Sequence, residues 1–198
     1  MRARMEFFDR HAERWDEMRH PAAAPELLQA LVDRFGLRDG DTVLDLGCGT
    51  GRAAPFLLRA VGAGGMVVCA DFSAGMLRRA RRKKALRRAR FIRARAEALP
   101  CADGSFDAVV CYCAFPHFEA GPALAEFNRL LRAGGRLVIV HPLGSCEINA
   151  IHSRAGGAVS EDLMPPAAEM GPLLMARGFS PVRLLDRPGI YLVIALKR

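Results

Sequence analysis

No apolar run in the sequence approaches the length that spans a bilayer, which excludes a membrane-spanning helix. The segment Met1-Arg2-Ala3-Arg4-Met5-Glu6-Phe7-Phe8-Asp9 has no signal-peptide core, so a cytoplasmic protein is expected. The cysteines at 48, 69, 101, 111, 113 and 146 form no C-x-x-C pair and no disulfide-framework spacing. Cys48, Cys69 and Cys111 fall in or beside predicted buried strands, where a free thiol behaves as a small hydrophobe. Cys111 and Cys113 can share one face of a strand end, but no further ligand lies nearby, so no metal is expected. What remains is a 198-residue chain, 51% hydrophobic and 25% charged, suited to one globular domain with a substantial core.

Acid is missing from one long stretch. Between Arg78 and Arg95 there are eleven Lys or Arg and no Asp or Glu, so the net charge of +8 is local and the rest of the chain is slightly acidic. Arg78, Arg79, Arg81, Arg82, Lys83, Lys84, Arg87 and Arg88 crowd the end of a predicted helix, where cations complement the macrodipole. Such a surface can attract nucleic acid, anionic lipid or an acidic substrate. Phe91 is its only aromatic, which leaves no stacking platform, and a solvated helix face is the simpler reading.

The organising stretch is Val43-Leu44-Asp45-Leu46-Gly47-Cys48-Gly49-Thr50-Gly51-Arg52. Val43 to Leu46 read as a buried strand, and three alternate glycines let the backbone turn sharply and lie against a ligand. A helix is predicted from about Arg52. Strand, glycine turn and helix make the first unit of a doubly wound sheet, whose ligand lies outside the carboxyl ends of the strands. The spacing is not that of a nicotinamide site. Counting G-x-G-x-x-G from Gly47 puts Arg52 where the third glycine belongs, and no Gly-Lys-Ser/Thr follows to make a phosphate loop.

An acidic residue two positions before G-x-G-x-G resembles the first motif of the class I S-adenosylmethionine-dependent methyltransferases, hydrophobic-Leu-Asp-Leu-Gly-Cys-Gly-Thr-Gly, over nine residues. The resemblance implies S-adenosylmethionine as cofactor, held by Asp45, Gly47, Cys48, Gly49, Thr50 and Gly51. Asp71-Phe72-Ser73 with Met76 is similar to the second motif, D-x-S-x-x-M-L. It implies that Asp71 accepts both ribose hydroxyls while Phe72 and Met76 flank the adenine. Asp71 could instead cap the following helix, for which Ser73 is the better candidate. Ala96-Glu97-Ala98-Leu99-Pro100 through Asp107 is similar to D-A-E-x-L-P-F-x-D-x-S-F-D, which adds Ala96 and Glu97 to the cofactor set. Arg95 stands where that pattern has an adenine-accepting aspartate, and a guanidinium has no acceptor. Cys113 opens the loop where methyl donor and acceptor meet in this family. Residues 7–16 are similar to the F-x-x-x-A-x-x-Y/W-D segment of the ubiquinone/menaquinone biosynthesis methyltransferase group.

The expected fold is therefore α/β, a doubly wound, Rossmann-like, mostly parallel seven-stranded sheet with an antiparallel C-terminal hairpin and an N-terminal helical lid. One domain covers 1–198: a lid over 1–36 with helices at 5–19 and from Pro25, a cofactor-binding core over 42–141, a polar connection over 142–165, and a closing helix and hairpin over 166–198. His20-Pro21 is expected to stop the first helix. Strands are expected at 43–46, 66–70, 89–94, 106–112, around 137–139, 182–185 and 190–196.

Methyl transfer from a sulfonium is an in-line displacement, to which a protein contributes alignment, exclusion of water and, for a hydroxyl, thiol or acidic carbon, a base. His141, just beyond the fifth strand, is the first candidate, then His117 and His152. The expected acceptor is a small molecule: a quinone-like phenol or ring carbon, a thiol or a metalloid. An RNA- or DNA-modifying enzyme using the 78–95 surface and a non-catalytic S-adenosylmethionine-binding protein remain as alternatives. A monomer or homodimer is expected.

Overall fold

Val43, Leu44 and Leu46 are all but fully buried because the strand they form is covered on both faces, which is why it reads as a continuous apolar run rather than an alternating one. The computed structural model describes residues 2–17 and 24–198. This first strand, β1 (Thr42–Leu46), is the centre of one sheet with β2 (Met66–Asp71), β3 (Arg90–Arg93), β4 (Phe106–Tyr112), β5 (Leu131–His141), β6 (Phe179–Arg187) and β7 (Ile190–Lys197). The order is β3-β2-β1-β4-β5-β7-β6. Strands β1 to β5 pair in parallel, β7 runs antiparallel to β5 with Leu137 opposite Ala195, and β6 closes the edge as the hairpin partner of β7. Pro181 cannot donate to a ladder, and the β6–β7 register shifts beside it, between Pro181 and Arg183.

Helices α1 (Arg2–His11), α2 (Pro25–Val32), α3 (Ala54–Ala60), α4 (Ala74–Arg81), α5 (Ala120–Leu130), α6 (Ser145–Ala155) and α7 (Ala167–Ala176) cover the sheet. One apolar layer packs Val43 and Val110 with Leu57 and Leu31; the other packs Leu44 and Val109 with Phe127 and Leu174. Because neighbours of β1 in the sheet are β2 on one side and β4 on the other, successive connections leave in opposite directions, and a crevice opens at the carboxyl ends of β1 and β4. Among the described residues, no helix is long and apolar enough to cross a membrane.

The expected fold class is the observed one. Four local expectations need correction. The first helix starts at Arg2 and gives way at Ala12 to a 3-10 turn, while Met18, His20 and Pro21 lie outside the described residues. The helix after the glycine loop starts at Ala54, since Gly51, at φ +76°, still belongs to the turn. His141 is the last residue of β5, not a residue beyond it. The stretch 142–165 is not a plain connection, for it contains α6 and a 3-10 turn, Gly157–Val159. Glu147 accepts the Gly144 N–H at 2.8 Å and Asp186 accepts the Ser145 N–H at 2.9 Å, so side chains satisfy the start of α6 while Ile148 is buried beneath it.

Candidate active site

The glycine loop after β1 is tied to β2, where the N–H groups of Gly47 and Cys48 both donate to the Ala70 carbonyl, at 2.8 and 3.1 Å. Gly47 has φ +68°, and a Cβ there would lie 2.4 Å from the Ala114 side chain, so both conformation and space require glycine. Gly49, at φ +55°, meets only the Trp15 indole at 4.0 Å; its missing side chain leaves a cradle open to the crevice. Cys113, at the end of β4, also has positive φ, +55°, a strained state for a non-glycine residue that its N–H bond of 2.9 Å to the Val140 carbonyl helps to hold. Burial pushes the Cys113 thiol up to about 12, which keeps it neutral.

Two acids lie at adjacent strand ends. Asp71 accepts the Gly49 N–H and the Ser73 N–H, each at 2.8 Å. Burial nevertheless pushes its carboxyl up to about 6. Asp45 is 1% exposed; burial, with the neighbouring charge of Asp71, pushes it up to about 7, and one of its oxygens has no hydrogen-bond partner among the described residues. Neither acid has an ion-pair partner among the described residues. An orphaned buried acceptor, two carboxylates without a cationic partner among the described residues and an open glycine cradle fit a ligand that carries positive charge.

The roof over this floor comes from distant segments. Asp9 of α1 accepts from the Ser73 hydroxyl at 2.5 Å and from the Gly75 N–H at 2.8 Å, while Ser73 caps α4 through the Met76 N–H at 3.1 Å. Thr50 donates to Asp16 at 2.6 Å, and Lys83 pairs with the other oxygen of Asp16 at 2.9 Å. Arg79 and Arg82 reach Glu13 at 3.4 and 3.5 Å. Part of the basic run therefore fastens the lid. Floor and roof enclose a cavity of about 310 Å³ whose apolar wall includes Phe7, Phe8, Trp15, Phe118, Ile151 and Val159.

All three predicted histidines line this cavity. His117 Nδ1 lies 2.6 Å from a carboxylate oxygen of Asp162, whose side chain is fully buried, and Arg4 pairs with the other oxygen. That contact places the neutral ring's proton on Nδ1 and leaves Nε2 as the acceptor. Burial pulls His117 below the usual imidazole range even though Asp162 opposes the shift. Burial pushes the Asp162 carboxyl up, but the hydrogen bond and charge of His117, with the charge of Arg4, outweigh it and hold the group low. His152 donates through Nδ1 to the Asp162 backbone carbonyl, and its ring centroid is 5.2 Å from that of His117. His141 Nδ1 instead accepts the Leu143 N–H at 3.1 Å, which puts its neutral proton on Nε2. In this arrangement the neutral His117 presents Nε2 as an acceptor, whereas the neutral His141 presents Nε2–H as a donor.

Of the predicted cofactor residues, Gly47, Cys48, Gly49, Thr50, Asp71, Phe72, Met76 and Cys113 line the cavity. Asp45 lies buried and Gly51 packs against Leu86 and Ala80, both outside the cavity wall. Ala96 and Glu97 are also outside it: Ala96 is buried in the core, and Glu97 pairs with Arg95 at 3.2 Å and accepts the Glu119 N–H. Arg95 is half-exposed and shared between Glu97 and Glu119. Sequence reasoning missed Arg4, Asp9 and the role of Asp162, which contribute through contacts between residues 45 or more positions apart that no local spacing encodes.

The sheet, the loop at the β1–β4 split and the acid closing β2 define a class I methyltransferase fold, which known proteins share. The family described as Methyltransferase domain matches residues 43–135. The ubiquinone/menaquinone biosynthesis C-methyltransferase UbiE of Hahella chejuensis is 37% identical over 139 residues, covering 68% of this chain and 55% of that protein. The chain spans about half the length of the curated relatives it matches. In fold it is similar to a SAM-dependent methyltransferase from Aquifex aeolicus, with TM-score 0.75, 23% identity and coverage of 96% and 98% of the two chains. It is similar as well to the geranyl diphosphate C-methyltransferase of Streptomyces coelicolor A3(2), crystallised with S-adenosyl-L-homocysteine, with TM-score 0.70, 18% identity and coverage of 87% and 78%. Residues 43–135 thus match the methyltransferase domain, within a sheet that has the fold of S-adenosylmethionine-dependent methyltransferases.

Proposed function

We propose that the protein methylates a small, largely apolar acceptor, a quinol-like phenol or its ring carbon, with His117 as the base. The observation that carries this reading is the pairing of an aromatic wall with one buried His117–Asp162 pair in the same cavity. The similarity to UbiE, named as a ubiquinone/menaquinone C-methyltransferase, favours a quinol among apolar acceptors.

When bound, S-adenosylmethionine supplies a methyl group on a cationic sulfur, which leaves as a neutral thioether when an acceptor's electron pair takes the carbon. Gly49 and Asp71 would hold the nucleoside side of the cofactor, and Asp45 would offset its positive charge from beneath the loop. Phe7, Phe8 and Trp15 exclude water from the acceptor. His117 Nε2 takes the acceptor's proton, and Asp162 stabilises the imidazolium that results. Part of the basic run is occupied by Glu13 and Asp16 of the lid, which favours a small acceptor over a nucleic acid.

The test is to incubate the protein with methyl-labelled S-adenosylmethionine and a cell extract, then separate organic-soluble, small aqueous and nucleic-acid fractions. Label is expected in the organic-soluble fraction and, with a short-chain hydroquinone added as probe, on that hydroquinone. Label in nucleic acid, or none in any fraction, would overturn the reading.

A further inference from the structure

The carboxylate of Asp162 serves two masters. Its Oδ2 accepts from His117, and its Oδ1 is paired with Arg4, a residue of α1 that arrives from the opposite end of the sequence. Asp162 has no exposed side-chain surface, while Arg4 is 27% exposed at the rim. The guanidinium reaches the carboxylate from α1, so lifting α1 withdraws it, whereas the buried carboxylate stays with the segment before α7. The groups facing His117 come from three elements: Asp162 from the segment before α7, His152 from α6, and Arg4 with the Phe8 ring, 5.0 Å away, from α1.

We propose that Arg4 is a positioning residue for methyl transfer: with α1 seated over the cavity, its guanidinium shares the Asp162 carboxylate with His117 and keeps the imidazole neutral and oriented to receive the acceptor's proton. This rests on the reading of His117 as the base. The physical reason is charge, added to the burial that already holds His117 low. Asp162 alone would draw a proton onto His117 and spend the base before an acceptor is bound; a second cation on the same carboxylate cancels part of that attraction. Asp162 stays ionised because two partners hold it, so the imidazolium formed during reaction still has its counter-ion. Lid closure and readiness of the base thereby become one event, and an open lid leaves a protonated, inactive histidine. When the acceptor's proton moves, it goes to His117 Nε2 and Nδ1–H stays on Asp162; Arg4 itself exchanges no proton.

The experiment reads the histidine rather than turnover. Full-length protein with carbon-13-labelled histidine, saturated with S-adenosylhomocysteine, is titrated by NMR, with the His117 ring signal assigned from its loss in His117→Gln. Arg4→Met should raise the His117 midpoint by at least about half a pH unit, and Asp162→Asn should lower it. Arg4→Lys, which keeps the cation, should return the midpoint most of the way. A midpoint unchanged in Arg4→Met would overturn the proposal. So would Arg4→Lys behaving like Arg4→Met, because the shift would then come from a loosened lid and not from the charge. No acceptor enters this titration, so failure of the labelling experiment would strike the acceptor reading alone.

Discussion

The floor and the roof of the cavity are built on different principles. The floor is made by backbone within a few residues of three neighbouring strand ends: Gly47 and Gly49 after β1, Asp71 at the end of β2 and Cys113 at the end of β4. The roof is made by side chains from α1, α6 and the segment around Asp162, which meet only after the chain has folded. The floor is rigid because parallel strands buried on both faces hold it. The roof is held by polar latches, Asp9 on Ser73, Asp16 on Thr50 and Arg4 on Asp162. On the proposed function, recognition of the cofactor belongs to the floor, and handling of the acceptor and its proton to the roof.

If that division holds, variants of the two regions fail in different ways. The largest effect is expected in the roof: His117→Gln should lower turnover about 100-fold or more while leaving S-adenosylmethionine affinity within about twofold. Steady-state rates and calorimetric titration on one preparation would decide this, and equal loss in both would erase the distinction. Next comes the floor. Asp71→Ala should cost about 1 to 3 kcal/mol of cofactor affinity, because it removes the ribose acceptors and also frees the Gly49 and Ser73 N–H groups. Cofactor binding unchanged in that variant would show that the crevice is used differently. The smallest effect concerns the outer lid contacts. Arg79→Gln with Arg82→Gln removes exposed pairs to Glu13, worth about 0.5 kcal/mol or less each, so melting temperature and turnover should barely move. A large loss of turnover there would give the basic run a function beyond fastening the lid.

The same contrast explains what was legible in the sequence. The strand at 42–46, the glycine turn and Asp71 follow from apolar runs and residue spacing, and the fold class followed from them. Gly49 is recognisable because only glycine suits both its positive φ and the open cradle. Nothing local marks Asp162 as the partner of His117, since the two are 45 residues apart and Asp162 is held from α6, through the His152 bond to its carbonyl. Helix α6 itself was hidden by the glycines and polar residues around it; its start is satisfied by Glu147 and by Asp186 from β6. His141 was preferred for its strand end, but the Leu143 N–H occupies its Nδ1, a bond invisible before the backbone is known.

Asp45 and Asp71 give the most direct test of the floor as the cofactor site. Both carboxyls are raised in the folded protein, to about 7 and about 6, so without ligand they cost stability progressively as pH rises from the usual carboxylate range through those values. A cationic sulfur should recover part of that cost, and a neutral one should not. The decisive measurement is the ratio of S-adenosylmethionine to S-adenosylhomocysteine affinity from pH 5 to pH 8, in the unchanged protein and in Asp45→Asn. One cofactor per chain is expected, with a preference for the cationic form that grows through pH 6 to 7 and is blunted in Asp45→Asn. A ratio flat with pH and identical in the two proteins would contradict it.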